Sequence, residues 1–347
     1  MSLDSLRRLL KQPEGRLAVI TVLVFLLMAW MTPDRFLSVN NLTSMAFQFP
    51  EFAILALAMT IVMLTGGIDL SIIGVANFSA IVAALLLTHV LGPGALENGA
   101  FWVGVAMLAA VALGALCGLA NGILVAYFGL PPILATLGTG LVFTGFGVAM
   151  TGGSSVMGLP AEMAWIGNGR LFGIPVPLVL FLGLSALLWF VLSRTAFGLK
   201  VQMYGANPVA ARFAAIDING MLLRVYVSAG MLSAISGLLI MSRANSAKYD
   251  YGSSYLLLAI LIAVLGGVNP YGGYGRIIGV VLAVLSMQFL SSGLNMMGVS
   301  NFARELIWGT LLILVMVINA SPSLNMLSRA RISRRRTPAG AGQRPPA

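Results

Sequence analysis

The stretch Phe52-Ala-Ile-Leu-Ala-Leu-Ala-Met-Thr-Ile-Val-Met-Leu-Thr-Gly-Gly-Ile-Asp-Leu-Ser-Ile-Ile-Gly74 decides the class of fold. An apolar run over 48–65 stops at a short polar break and resumes over 72–90. Two runs of this length, joined by so few residues, predict a pair of helices crossing a hydrocarbon layer about 30 Å thick and turning sharply between crossings.

The rest of the chain repeats the pattern. Apolar stretches fall near 17–32, 48–65, 72–90, 101–124, 131–150, 175–193, 222–241, 255–268, 277–294 and 302–319. The 347 residues are 59% hydrophobic and 9% charged, against roughly 45–50% and about 25% in soluble domains. One soluble core cannot hide that much apolar surface and keep a polar exterior. The sequence therefore predicts an all-α polytopic transmembrane helical bundle of about ten spans, within eight to eleven. It divides into an N-terminal segment 1–16, a transmembrane domain 17–320 and a basic tail 321–347 without apolar periodicity, expected to be disordered.

Met1 to Arg16 is basic and precedes an apolar run. Met28-Ala-Trp-Met-Thr-Pro33 offers no small-residue cleavage site, so a retained first span is expected. With both termini cytoplasmic and ten spans, Arg7, Arg8, Lys11 and Arg16, then Arg194, Lys200, Arg212 and Arg224, then Arg276, fall inside. So do Arg329, Arg331, Arg334, Arg335, Arg336 and Arg344, whereas only Arg35, Arg170, Arg243, Lys248 and Arg304 fall outside. This three-to-one excess obeys the positive-inside rule. It also accounts for the net charge of +10 without nucleic acid as a partner: the tail arginines suit anionic lipid headgroups.

Several chemistries lack their residues. Cys117 is the only cysteine and His89 the only histidine, so neither a disulfide framework nor a metal site is expected, and no catalytic residue is assigned. The three lysines are followed by Gln12, Val201 and Tyr249, which excludes a phosphate-binding loop ending in Lys-Ser/Thr. Ion-coupled carriers keep carboxylates near the bilayer midplane. Only Asp69 qualifies, since Glu51, Glu97, Glu162, Asp250 and Glu305 are expected near outer span ends or in outer loops, and Asp217 in the long inner segment. Trp30, Trp102 and Trp189 suit headgroup belts.

Four segments carry the functional information. In the first, Gly66 and Gly67 loosen the backbone while Asp69 and Ser71 offer oxygens to the amides opening the next helix, a cap or a part in gating. In the second, Pro131 and Pro132 open a glycine-rich helix in which Thr136, Thr139 and Thr144 either line a polyol path, with Asn121, or bond neighbouring helices. The third, Arg194 to Ile218, is too polar to span and too apolar for a free linker. Asn207 can cap and Pro208 can begin a short docked helix with a small face of Ala210, Ala211, Ala214 and Ala215. The fourth, Leu265 to Gly279, echoes the first, each break being followed by Ile-Ile-Gly.

Together, Gly66-Gly-Ile-Asp-Leu-Ser71, Asn121-Gly122, Pro132-Ile-Leu-Ala-Thr-Leu-Gly138, Gly152-Gly153, Gly205-Ala-Asn-Pro-Val-Ala-Ala211, Gly266-Gly267 and Gly272-Gly-Tyr-Gly275 resemble the permease subunits of ribose-type bacterial ABC sugar importers, over about residues 40–320. The resemblance implies a multi-pass protein of the inner membrane that works with a second permease copy or paralogue, two nucleotide-binding ATPase domains and a periplasmic sugar-binding protein. ATP and magnesium would then sit on the ATPase, with no cofactor on this chain. It also implies a coupling helix within 194–220, carried by Gly205, Asn207, Ala210 and Ala211, with Gly66, Gly67, Gly266, Gly267, Gly272 and Gly273 as structural or gating turns. Val268-Asn-Pro-Tyr271 and Ser246-Ala-Lys-Tyr-Asp-Tyr-Gly252 depart from the ribose pattern and look nearer to branches for rhamnose, other simple sugars or autoinducer 2. A stand-alone carrier or channel is the competing expectation. An intramembrane enzyme would need a His cluster or paired carboxylates, which the apolar runs lack.

Overall fold

A computed structural model describes residues 13–90 and 99–320; most of the expected N-terminal segment, Glu97 and the basic tail lie outside the described residues. The chain forms α1 (Pro13–Met31), α2 (Pro33–Phe36), α3 (Val39–Met63), α4 (Ile72–Leu85, continued by a π turn to Val90), α5 (Gly99–Ala126) and α6 (Pro132–Thr151). A short α7 (Ala161–Asn168) and a hairpin of β1 (Arg170–Leu171) and β2 (Ile174–Pro175) lead to α8 (Val176–Arg194). There follow α9 (Ala196–Ala206), α10 (Pro208–Phe213), α11 (Ile218–Ala244), α12 (Tyr255–Leu265), α13 (Ile277–Met296) and α14 (Asn301–Ala320).

Eight of these helices are long and apolar enough to cross a membrane: α1, α3, α4 with its π turn, α5, α6, α8, α11 and α13. The two others that the sequence predicts as spans differ from these. α12 has 11 residues, about 16 Å of helix against a hydrocarbon layer of about 30 Å. Leu258, Ala259, Leu261, Ile262, Ala263 and Val264 are all buried in protein, which lets so short a helix stand at membrane depth. α14 opens with the polar residues Asn301, Arg304 and Glu305 and is not among the eight.

Burial sorts the bundle into centre and rim. In their most apolar windows α3 is 83% and α11 78% buried, against 22–33% for α1, α5, α6 and α8, whose outer faces present Leu23, Leu108, Leu141 and Leu187. The helix-facing side of α5 carries Gly114, Gly118 and Gly122, a spacing that brings backbones close. A Cβ on Gly118 would stand 2.2 Å from the Tyr226 carbonyl oxygen of α11, and one on Gly114 2.5 Å from that of Gly230.

The helices run between two ends. At one, Arg276 opening α13 pairs with Glu14 of α1 at 2.7 Å, and the Leu70 amide donates to Thr136 of α6 at 3.0 Å. At the other, Val156 and Ala247 exchange backbone bonds of 2.9 and 3.0 Å, and Ser292 bonds Asn41 at 2.8 Å.

α3 starts nine residues before its apolar run. Ser38 caps it by accepting from the Asn41 amide at 3.2 Å, and the polar first turns that follow escape a hydropathy window. Glu51 is consequently not at a span end, as predicted, but mid-helix and buried.

Candidate functional site

Three segments that the sequence singles out separately meet at the end where α3 finishes. Leu64 accepts from the Gly273 amide at 2.9 Å, and Gly205, near the end of α9, lies over the same carbonyl. A Cβ on Gly205 would fall 2.0 Å from the Leu64 oxygen and 2.4 Å from the Gly273 nitrogen, and one on Gly272 would fall 2.7 Å from the Gly66 nitrogen. Gly272 and Gly273 have φ of +90° and +82°, a region that side chains strain to enter. Backbone thus rests on backbone across three stretches of chain, with no side chain to yield between them. The Val268–Tyr271 departure builds the third of these: Asn269 closes the turn by accepting from the Tyr271 amide at 3.1 Å and donating to the Gly272 carbonyl at 2.9 Å. Gly266 and Gly279 touch where α12 ends and α13 starts, since a Cβ on Gly279 would stand 2.1 Å from the Gly266 oxygen. Gly267 has φ of +84° and open space around its Cβ position, and Gly67 lies under the Tyr226 hydroxyl.

Attached to this junction is the short helix predicted within 194–220. Asn207 caps α10, its Oδ1 accepting from the Ala210 amide at 3.0 Å, and Pro208 is its first residue. The helix is shorter than its predicted alanine face: it ends at Phe213, and Ala215 has φ of +53°. Its orientation splits the predicted alanine face: Ala211 is 1% exposed and turned into the protein, Ala210, Ala214 and Ala215 are exposed, and Val209 and Phe213, one turn apart, are 62% and 88% exposed. Tyr271 of the neighbouring turn is exposed as well.

Behind the junction a polar chain ties the first break to α5 and α6. Asp69 Oδ1 accepts from the Ser71 amide at 2.9 Å and hydroxyl at 2.6 Å. Ser71 Oγ in turn accepts from Asn121 Nδ2 at 2.7 Å, and Thr139 donates to Asn121 Oδ1 at 2.5 Å. The Ser71 side chain therefore links helices instead of capping α4. Burial pushes the Asp69 carboxyl up from the usual carboxylate range, and its bonds from Ser71 oppose that shift. Thr136 is fully buried and bonds the Ile68 and Pro132 carbonyls, at 3.2 and 2.8 Å. Thr144 lies where α4 and α6 cross, 3.2 Å from the Cβ position of Gly74. Of these hydroxyls, Thr139 bonds a neighbouring helix through Asn121, whereas Thr136 bonds its own helix and the break after α3.

A further group escapes sequence reasoning. Glu51 pairs with Arg243 at 3.1 Å and accepts from the Tyr255 hydroxyl at 3.1 Å. Arg243 lies in the last turn of α11, not in an outer loop. The available signal was Ser38, whose capping oxygen starts α3 early enough to carry Glu51 into its middle.

An all-α polytopic membrane protein, with its helix breaks locked to a capped segment at one end, is the class that fold and site define. Residues 41–316 match the family described as branched-chain amino acid transport system / permease component, and the chain belongs to that family. It is 37% identical over 314 residues, 88% of its length and 90% of theirs, to the autoinducer 2 import system permease protein LsrD of Yersinia pestis (strain Pestoides F) and of Yersinia pseudotuberculosis serotype O:3 (strain YPIII). No solved structure matches the chain. The motif resemblance to ABC importer permeases is upheld.

Proposed function

We propose that this chain is a permease subunit of a bacterial inner-membrane ABC importer for a monosaccharide or a related small polyhydroxylated solute such as autoinducer 2. It crosses the membrane ten times with both termini cytoplasmic, so that α9, α10 and the two Gly-Gly turns face the cytoplasm. It receives solute from a periplasmic binding protein, pairs with a second permease copy or paralogue, and takes its energy from two ATPase domains. The names of its relatives support the solute class.

The observation that carries this reading is the glycine junction. Val209 and Phe213 form the face of α10 that meets the ATPase, while Gly205 bears on the Leu64 carbonyl and Gly273 on Ala206. ATP-driven closure of the ATPase domains displaces α10. Because the contacts beneath it are backbone on backbone, the displacement passes undamped to the ends of α3 and α12 and to the start of α13, alternating access to a central path. The Asp69–Ser71–Asn121–Thr139 chain ties the break after α3 to α5 and α6 and adds to the stability of the bundle behind the junction.

Reconstitution in proteoliposomes with and without the ATPase tests this. Solute uptake is expected only with the ATPase, its binding protein and ATP together; flux through the permease alone would identify a stand-alone carrier or channel instead.

A further inference from the structure

Glu51, Arg243 and Tyr255 line a cavity of about 360 Å³ bounded by α3, α11, α12, α13 and α14, at the small end of the roughly 300–1,000 Å³ range of ligand pockets. Its depth follows from helix rise. Glu51 is twelve residues from the end of α3 and Gln288 eleven from the start of α13, hence ~18 and ~16 Å above the junction, about halfway through the hydrocarbon layer. The cavity continues outward, because Gln48, Ser291 and Arg304 also line a second opening with Asn41, Ser44 and Asn295. Inward, Leu261, Val264, Val280 and Val284 belong to the buried core.

Gln288 is the telling residue. It is 3% exposed, lines this cavity, and its amide makes no hydrogen bond with any of the described residues. A buried amide is costly without partners, and here its two donors and its acceptor can be met only from the cavity side. Beside it Glu51 and Arg243 already neutralise each other; Arg304 and Glu305, which line the same cavity from the first residues of α14, form no ion pair with one another. An amino-acid zwitterion would need a free carboxylate and a free cation at this depth. A neutral polyol needs what is present: an amide, the unused donors of Arg243, and the rings of Phe52, Tyr255 and Trp308 for its C–H face.

We propose that this chamber is the permease's own solute site, holding an uncharged ring-form polyol at mid-membrane depth, with Gln288 and the Glu51–Arg243 pair as its polar contacts. This inference rests on the transport reading above and adds selectivity within the permease.

The complete importer in proteoliposomes, supplied with labelled ribose, autoinducer 2 and leucine, tests it, with solute delivered and ATP hydrolysed measured together. Gln288→Leu is expected to lower polyol delivered per ATP about tenfold while ATP hydrolysis stimulated by loaded binding protein stays within about twofold; Gln288→Asn, which keeps the amide, should retain most delivery. Glu51→Gln should act in the same direction as Gln288→Leu. Wild-type delivery by Gln288→Leu overturns the site, as does loss of stimulated hydrolysis in step with delivery, which would mark a structural residue. Preference for leucine overturns the polyol class. No ATP-driven uptake of any of the three by the wild type overturns the transport reading, and the site with it.

Discussion

Gly205 shows how much one hydrogen can matter. A methyl group there would meet the Leu64 oxygen at 2.0 Å, and overpacking of this kind costs about 1–3 kcal/mol. Gly205→Ala should lower the thermal unfolding temperature and abolish ATP-driven uptake together. Gly138, helical and with nothing within 4 Å of its Cβ position, is the control: Gly138→Ala should leave stability unchanged or raise it by up to about 1 kcal/mol. Asn121 tests the polar chain. Asn121→Leu strands Ser71 and Thr139 and should cost about 1–2 kcal/mol in thermal or denaturant unfolding, at the upper end of values for interhelical bonds in membranes. Solute delivered per ATP should hardly change; a selective loss of delivery would instead give Asn121 a place in the path.

Among the elements, α10 separates two kinds of residue that composition cannot. The cap at Asn207 and the start at Pro208 were readable because capping is a matter of neighbouring residues. Which face is left exposed was not, because a six-residue helix rich in alanine carries no amphipathic signal. Phe213→Asp is expected to uncouple ATP hydrolysis from uptake by about tenfold or more while the importer remains assembled, as loss of an exposed anchor would. Ala211→Glu forces a carboxylate into the protein and should instead reduce the amount of folded permease recovered. Equal behaviour of the two variants would remove the distinction between faces. α3 teaches a related lesson. Its apolar portion was plain, but its true start depended on Ser38 and on polar turns that only helix geometry joins to the rest.

For the molecule as a whole, the placement of the junction and the hairpin makes opposite claims on solvent. Tyr271→Cys, on the exposed turn beside Gly272, should react with a membrane-impermeant thiol reagent only in inverted vesicles. Phe172→Cys, at the exposed tip of the β1–β2 hairpin, should react only in right-side-out vesicles. Cys117 is buried and should contribute little background. Labelling of both positions from one side would overturn the ten-pass arrangement.

Composition alone set the membrane as solvent, because so many apolar residues have nowhere else to go. Hydropathy marked where helices run, and the glycine pairs, prolines and caps marked where they stop, since all of these are decided within a few residues. Tertiary structure alone decided that Leu64, Gly205 and Gly273 share one contact, that Ala211 turns inward, and that Glu51 and Arg243, 192 positions apart in the chain, pair on the cavity that Gln288 also lines. Close approach of distant backbones and the pairing of buried charges depend on how whole helices cross. No local pattern carries that information.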